Sequence, residues 1–302
     1  MLIAELRKTI VVAVLCLSGA LIAACGSADR SSSDDDKAAG RANVDAMSRE
    51  HRDDTTERSA GAGIAPRKAV ISEDMPYAEV NDELVYGYFV APADMFEPLP
   101  AVIMIHEWWG LNDNIRAMAD RLAAEGYIVL AVDLFGGKTA ATPAEARQLM
   151  LSVVEGSESA NANIIGAYEF VSATAGAPTV GSLGWCFGGG WSLNTAMLFP
   201  DDLDATVIYY GQVTDDEEKL GPINAPILGL FAAEDKGIKV KSVEAFRDAL
   251  QRLRKEHEVY VYAGVSHAFA NPTGTRYNEA AASDAWQKTL EFLNTHLSTD
   301  ET

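Results

Sequence analysis

From about residue 67 onward, the chain alternates short, continuous apolar runs with longer segments in which apolar residues recur at helical spacing. The run Ala-Val-Ile-Met-Ile at 101–105 is typical of a strand that is buried on both faces. In the segment 112–125, by contrast, Ile115, Met118 and Leu122 fall on one face of a helix. The alternation predicts an α/β class fold, with a mostly parallel sheet covered by helices on both faces.

The alternation continues almost to the end of the chain, and no internal repeat interrupts it. One α/β domain is therefore predicted for residues 67–302. Strands are predicted at 84–90, 101–105, 127–132, 179–184, 205–210, 227–233 and 259–262. Helices are predicted at 112–125, from Pro143 onward, and at 158–174, 188–198, 240–255 and 278–296.

The N-terminus has the pattern of an export signal. Arg7 and Lys8 precede an apolar stretch over 9–24, which is too short for a permanent transmembrane helix. The sequence Leu-Ile-Ala-Ala-Cys-Gly at 21–26 resembles the lipobox of bacterial lipoproteins, which implies removal of residues 1–24 and acylation of Cys25. The expected location is the cell envelope, with the lipid in a membrane (the periplasmic side of the outer membrane in a Gram-negative cell). An ordinary signal with a chance cysteine is the alternative.

Residues 25–66 contain almost no large apolar side chains and many Ser, Asp, Arg and Gly. Such a segment cannot bury enough surface to offset the entropy of ordering, so we expect a flexible tether. His51 lies in this segment, and we expect it to be solvated, like His257 and His296 near helix ends.

Charge narrows the choice of partner. The chain has a net charge of −20, and 44 acidic residues outnumber 24 basic ones. Nucleic acids and anionic lipid surfaces are negatively charged and attract basic proteins. An acidic chain is repelled by both, so neither is an expected partner. We expect a small molecule as partner, together with a membrane reached through the lipid at Cys25.

The candidate chemistry lies in Gly-Trp-Cys-Phe-Gly-Gly-Gly at 184–190, between a predicted strand and a predicted helix. Gly-x-nucleophile-x-Gly is the nucleophile-elbow pattern, here with Cys186 in place of serine. The helix N-terminus favours a thiolate at that position. The simpler alternative is a buried cysteine beside a glycine-rich turn.

The order of residues along the chain supports the elbow. In this fold the nucleophile is followed by an acid and then by a histidine, each in a loop after a later strand. Asp235 follows the strand 227–233, and His267 follows the strand 259–262. Glu234 is adjacent to Asp235 and remains its rival.

A fourth element is His-Glu-Trp-Trp-Gly at 106–110, after the strand 101–105. This loop supplies one oxyanion-hole N–H in α/β-hydrolases, and the residue after the nucleophile supplies the other. The candidates are the backbone amides of Trp108 and Phe187. A zinc helix would need a second histidine at position 110, which is glycine, so neither a metal nor a cofactor is expected.

Together these motifs resemble the dienelactone hydrolase family over about residues 80–297. The matching stretches are 106–116, Asp-Leu-Phe-Gly-Gly at 133–137, the elbow, Asp235, and Ser-His-Ala-Phe at 266–269. The resemblance implies the α/β-hydrolase fold and a Cys186–His267–Asp235 triad. It also implies that Glu107 lies close to the thiol and takes its proton when substrate binds, which is physically reasonable for a buried carboxylate. The alternative is that Glu107 forms a structural salt bridge with a nearby base such as Arg116 or Arg276.

Two positions depart from the family pattern. The arginines that hold a substrate carboxylate in well-studied members fall at about Gly137 and at Asn271 here, and Lys138 and Arg276 are the nearest bases. A small ester, lactone or thioester is therefore a safer expectation than dienelactone itself. The aromatic residues expected to line the pocket are Trp108, Trp109, Phe135, Trp185, Tyr210 and Phe269.

The resemblance implies a cysteine-dependent hydrolase that works through an acyl-enzyme. The alternative from another class is a lipid-tethered envelope binding protein that keeps the fold and hydrolyses nothing. Thiol redox chemistry is a third possibility, but no second cysteine remains after residue 25 to resolve a disulfide at Cys186.

Overall fold

The structure is a computed structural model that describes residues 30–55, 65–95 and 97–298. The predicted signal at 1–24 and the predicted lipidation site at Cys25 lie outside the described residues. Within the described ranges, no helix is both long and apolar enough to cross a bilayer.

Eight strands form one sheet in the order β1-β2-β4-β3-β5-β6-β7-β8. Strands β1 and β2 run antiparallel, β2 is antiparallel to β4, and the remaining neighbours are parallel. The predicted mostly parallel sheet is therefore confirmed. The strands are β1 (Val70–Val80), β2 (Glu83–Pro92), β3 (Ala101–Ile105), β4 (Ile128–Val132), β5 (Val180–Trp185), β6 (Ala205–Tyr209), β7 (Ile227–Ala232) and β8 (His257–Tyr262).

Helices connect the parallel strands and cover both faces of the sheet. In chain order the α-helices of the described part are α1 (Arg30–Glu50), α2 (Asp113–Ala123), α3 (Pro143–Glu155), α4 (Ser157–Glu169), α5 (Phe187–Leu198), α6 (Glu217–Leu220), α7 (Val240–Arg252) and α8 (Glu279–Leu297). Helix α4 continues as a π-helical turn at Phe170–Thr174, where the sequence predicted one uninterrupted helix.

Strand β3 shows why the central strands are continuous apolar runs. All five of its residues are buried. Val102 and Met104 pack into the core on one face, whereas Ile103 and Ile105 pack into the core on the other. Alternate side chains of a strand point to opposite faces, so two cores require apolar residues at every position.

Strand β1 was not predicted from the sequence. It contains Glu73, Asp74 and Pro76, which break the apolar pattern. As the edge strand of the sheet it needs only one paired side, so proline and exposed charges are tolerated there.

The predicted tether is wrong for residues 30–50, which form helix α1. Val44 and Met47, spaced as i and i+3, are buried against the domain. Ion pairs of Arg41 with Glu155 and of Arg147 with Asp45 attach α1 to α3. Burial of these two apolar side chains against the domain stabilises the helix, although most of its residues are polar. Residues 30–55 are called the N-terminal cover below.

Candidate active site

Cys186 sits in the sharp turn between β5 and α5. Its backbone is in a positive-φ conformation (φ 57°, ψ −118°), and only 3% of its surface is exposed. A Cβ on Gly184 would lie 2.0 Å from the Gly188 carbonyl oxygen, and one on Gly188 would lie 2.2 Å from the Ile105 carbonyl oxygen. The turn therefore requires both flanking glycines, as the elbow pattern predicts.

Asp235 and His267 meet across the loops that follow β7 and β8. Nδ1–H of His267 donates to Oδ2 of Asp235 at 2.7 Å, and both side chains are buried. Oδ1 of Asp235 accepts the backbone N–H groups of Gly237 (2.9 Å) and Ile238 (2.8 Å). These bonds fix the carboxylate and hold the imidazole in one orientation.

Each member of this pair shifts the pKa of the other towards its charged form. Burial alone would raise the pKa of Asp235, but the imidazole charge and the hydrogen bonds lower it. Burial alone would lower the pKa of His267, but the charges of Asp235 and Cys186 raise it well above its usual range. The carboxylate thus stabilises a positively charged imidazole beside the thiol.

The second ring nitrogen of His267 is not committed elsewhere. Nε2 is buried and makes no hydrogen bond within the described part of the chain. The ring lies between Tyr210, with centroids 5.0 Å apart, and His51, with centroids 4.6 Å apart. Nε2 is therefore available to exchange a proton with a neighbouring group.

Glu107 is buried beside this pair. Its Oε1 accepts the Tyr210 hydroxyl at 3.3 Å, and its Oε2 accepts the Asn271 side-chain amide. Burial raises the pKa of Glu107 to about 7, although the charge of His267 opposes this shift. No salt bridge to Arg116 or Arg276 forms, since those arginines pair with other acids. Glu107, Cys186, Asp235 and His267 are called the strand-end cluster below.

Of the two residues predicted to supply oxyanion amides, Trp108 borders the same small space as Cys186, and Phe187 follows Cys186 in the chain. Neither the Trp108 nor the Phe187 backbone N–H donates to a carbonyl or side chain of the described residues. The neighbouring His106 ties the loops together: Nδ1–H donates to the Glu107 carbonyl at 2.7 Å, and Nε2 accepts the Leu134 N–H at 3.1 Å. In the described ranges, no group of three or more His, Cys, Asp or Glu is arranged to hold a metal ion.

The N-terminal cover lies directly over the strand-end cluster. Sδ of Met47 is 3.9 Å from Sγ of Cys186. The ring of His51 packs edge-on against Trp108, with centroids 5.3 Å apart. His51 is only 2% exposed, so the expectation of a solvated histidine is wrong.

Polar contacts hold the end of the cover in place. Nδ1 of His51 pairs with Oδ2 of Asp54 at 2.6 Å, and burial lowers the pKa of His51 to about 4. Arg276 donates to the Glu50 carbonyl at 2.9 Å and pairs with Asp54 at 3.0 Å. Oε1 of Glu50 accepts the backbone N–H of Lys236 at 3.0 Å.

The predicted pocket residues fall into different places. Trp108, Trp109, Asn271 and Arg276 border a small space beside Glu107 and His267. Tyr210 packs against the ring of His267, and Phe135 packs against the rings of His106 and Phe187 at tilted angles.

Three of the predicted pocket residues are elsewhere. Lys138 is exposed on a loop. Trp185 borders a separate cavity with Arg121 and Trp286. Phe269 is fully buried in the core against Tyr262.

Sequence reasoning missed Met47, His51 and Asp54. The available signals were weak: Val44 and Met47 at i, i+3 spacing and an acid three residues after His51. Neither pattern indicates which surface such a helix covers.

The chain is similar to known proteins over most of its length. The model of the dienelactone hydrolase family matches residues 85–297. Protein usf of Aquifex pyrophilus is 34% identical over 229 residues, covering 72% of this chain and 96% of its own length. A protein of Saccharolobus solfataricus named "Putative carboxymethylenebutenolidase" is 34% identical over 233 residues, covering 65% of this chain and 89% of its own length.

Solved structures extend the comparison to the fold. A dienelactone hydrolase-like promiscuous phosphotriesterase from metagenomic libraries superposes with a TM-score of 0.70 at 22% identity, covering 76% of this chain and all of that one. Dienelactone hydrolase from Anabaena variabilis gives a TM-score of 0.59 at 18% identity, covering 76% of this chain and 99% of that one. At these identities the likeness concerns the α/β-hydrolase fold alone. The family match covers most of the domain, and the chain belongs to the dienelactone hydrolase family of hydrolases.

Proposed function

We propose that the protein is a cysteine-dependent hydrolase of small esters, lactones or thioesters and works through an acyl-enzyme. The observation that carries this proposal is the buried 2.7 Å bond between Asp235 and Nδ1 of His267. That bond leaves Nε2 of His267 for the nucleophile, which is the division of labour in a nucleophile–base–acid triad.

The acylation step uses the strand-end cluster and the two amides. Cys186 loses its proton to His267 or Glu107, and the thiolate sulfur attacks the substrate carbonyl carbon. The Trp108 and Phe187 N–H groups stabilise the oxyanion that forms. The tetrahedral intermediate collapses, the bond to the leaving group breaks, and the leaving oxygen or sulfur takes a proton from His267.

Deacylation reverses the roles. His267 takes a proton from water, the resulting hydroxide attacks the thioester, and Cys186 leaves as a thiolate that is reprotonated. Asp235 stabilises the imidazole cation in both steps. With a pKa of about 7, Glu107 exists in both protonation states near neutral pH, so it can accept the thiol proton and return it.

The substrate needs no carboxylate. Arg276, the base nearest to a predicted carboxylate-binding position, is already paired with Asp54 and bound to the Glu50 carbonyl. Lys138 lies exposed outside the cluster. Both facts favour neutral esters over anionic lactones.

A single assay separates this function from a silent binding protein. Wild-type protein should hydrolyse p-nitrophenyl acetate and a thioester, whereas Cys186→Ala should be inactive and still fold. Iodoacetamide should inactivate the wild type. Absence of turnover in the wild type would favour the lipid-tethered binding protein, whereas undiminished turnover in Cys186→Ala would contradict Cys186 as the nucleophile.

We also propose that Cys25 is acylated and holds the domain at a cell-envelope membrane. The basis is the lipobox-like sequence at 21–26. A palmitate analogue fed to expressing cells should label the wild type and not Cys25→Ala. Labelling that persists in the variant refutes the assignment.

A further inference from the structure

A cavity of about 500 Å³ lies between helix α1 and the domain, and Cys186 is part of its wall. This volume falls in the range of small-molecule binding sites. The cavity is separate from the small space beside His267 and Glu107, and the proposed function does not yet assign it a role.

The lining of the cavity is mainly apolar, and Asn161, Asn194 and Gln212 also border it. Helix α1 contributes Val44 and Met47, α3 contributes Met150 and Val154, and α5 contributes Trp191 and Met197. Charged side chains of α1 enter at the outer end, where Asp36 pairs with Lys219 at 2.8 Å and both are about half-exposed.

The polar and apolar ends are well separated. Asp36 and Met47 are eleven positions apart on one helix, which is about 16 Å along its axis at 1.5 Å per residue. Gly40 and Asn43 lie between them on the same face and also border the cavity. The cavity thus extends along α1 from a charged rim to the thiol, and most of its wall is apolar.

The other space at the thiol is far smaller. The space bordered by His51, Trp108, His267 and Asn271 has a volume of about 10 Å³, against about 500 Å³ for the cavity under α1. A carbonyl carbon bonded to Cys186 carries an acyl substituent, and the room for that substituent lies under α1.

We propose that the cavity under α1 is an acyl-chain pocket and that the substrates are esters or thioesters of unbranched, apolar acyl groups. This inference rests on the proposed function and names the substrate class of the same site. Val44 and Met47 of the N-terminal cover, with Val154 and Met197 of the domain, are the residues that determine chain-length specificity.

The expected effect follows from burial of methylene groups. Each methylene removed from water favours binding about fourfold. The kcat/KM of the wild type should therefore rise from p-nitrophenyl acetate through butyrate to octanoate, by about fourfold per methylene that enters the cavity.

The experiment compares the full chain with two variants that fill the cavity and one matched control. Val44→Trp narrows it from α1, and Val154→Trp narrows it from α3. Ala38→Trp introduces the same side chain on an exposed position of α1 that does not border the cavity. The octanoate-to-acetate ratio of kcat/KM should fall by at least about tenfold in both cavity variants and stay within about twofold in the control. Because Val154 packs against Gly40 of α1, hydrogen exchange of α1 is measured in both cavity variants. A lowered ratio with unchanged exchange in α1 supports the pocket, and a ratio that falls only where α1 exchanges faster overturns it.

A binding measurement distinguishes failure of this inference from failure of the proposed function. Methyl alkyl ketones from 2-butanone to 2-decanone cannot be hydrolysed, and calorimetry on Cys186→Ala reports their affinity directly. Affinity that rises with chain length, and falls in the Val154→Trp background, supports the pocket even if no ester is turned over. Acetate hydrolysis with neither a chain-length preference nor ketone binding overturns the acyl-chain pocket and leaves the hydrolase proposal intact.

Discussion

The strand-end cluster and the N-terminal cover meet at Cys186, yet they are held in different ways. Backbone geometry fixes the cluster: the turn at Cys186 leaves no room for a Cβ on Gly184 or Gly188, and Asp235 accepts two backbone N–H groups. The cover is held by buried Val44 and Met47 and by ion pairs at partly exposed positions. Exposed ion pairs contribute about 0–1 kcal/mol each, so the cover has the smaller reserve of stability.

This difference in attachment matches the two tasks proposed for the two regions, which are chemistry in the cluster and substrate binding under the cover. Chemistry needs groups fixed to within fractions of an ångström, which rigid strand ends provide. A pocket wall needs only to present an apolar surface, and a helix that can open locally also allows substrate to enter. Four predictions test this division, beginning with the largest expected effect.

Asp235→Asn should lower kcat for p-nitrophenyl acetate by on the order of 10³–10⁴. The amide can no longer stabilise the His267 cation or enforce the Nδ1–H tautomer. Glu234→Gln is the matched control, because Glu234 is the exposed neighbour. Unchanged kcat in Asp235→Asn, with loss in Glu234→Gln, would transfer the role to Glu234.

Glu107→Gln should change both stability and reactivity with pH. Burial raises the pKa of Glu107 to about 7, from 4.5, so the folded protein retains a proton that the unfolded chain has lost. The wild type should therefore lose stability as pH rises from about 4.5 to 7, by up to about 3 kcal/mol. The variant should lack this loss in a pH series of chemical denaturation.

The same variant reports on the thiol. If Glu107 governs the proton on Cys186, Glu107→Gln should slow acylation and shift the pH at which iodoacetamide alkylates Cys186. An unchanged rate and an unchanged alkylation profile together would leave Glu107 without a part in the chemistry.

Met47→Ala should loosen the cover selectively. Truncating a buried methionine costs about 2–5 kcal/mol, which speeds local opening by about 30-fold or more. Hydrogen exchange should accelerate in α1 and stay unchanged in β5. Equal acceleration in both elements would show that the cover and the domain unfold as one unit.

Arg147→Ala removes a partly exposed ion pair between α3 and α1 and should have the smallest effect. The expected change is below about 1 kcal/mol, and high salt should mask it. Exchange rates of α1 at low and high salt provide the measurement. A change as large as that of Met47→Ala would contradict the weak attachment.

The strand-end cluster could be predicted because short sequence motifs and the order of residues along the chain identify its members. The elbow glycines around Cys186 are required by the turn, and Asp235 and His267 follow apolar strands in the expected order. The central strands were equally readable, since burial on both faces forces continuous apolar runs such as Ala101–Ile105.

The helical structure of the cover could not be predicted because it depends on packing against the domain, whose residues lie far away in the sequence. Val44 and Met47 are isolated apolar residues in a polar segment, and only the domain beneath them makes their burial favourable. The same cause explains Trp185 and Phe269: aromatic identity predicts burial but not the cavity in which a side chain lies.

Acyl transfer through Cys186, as proposed above, should leave a detectable covalent intermediate. Rapid mixing with p-nitrophenyl acetate, acid quenching and peptide mapping by mass spectrometry can trap it. We expect a burst of p-nitrophenol, an acetyl group on the peptide that contains Cys186, and loss of both in Cys186→Ala. An acetyl group on another residue, or a burst that persists in Cys186→Ala, would exclude Cys186 as the nucleophile.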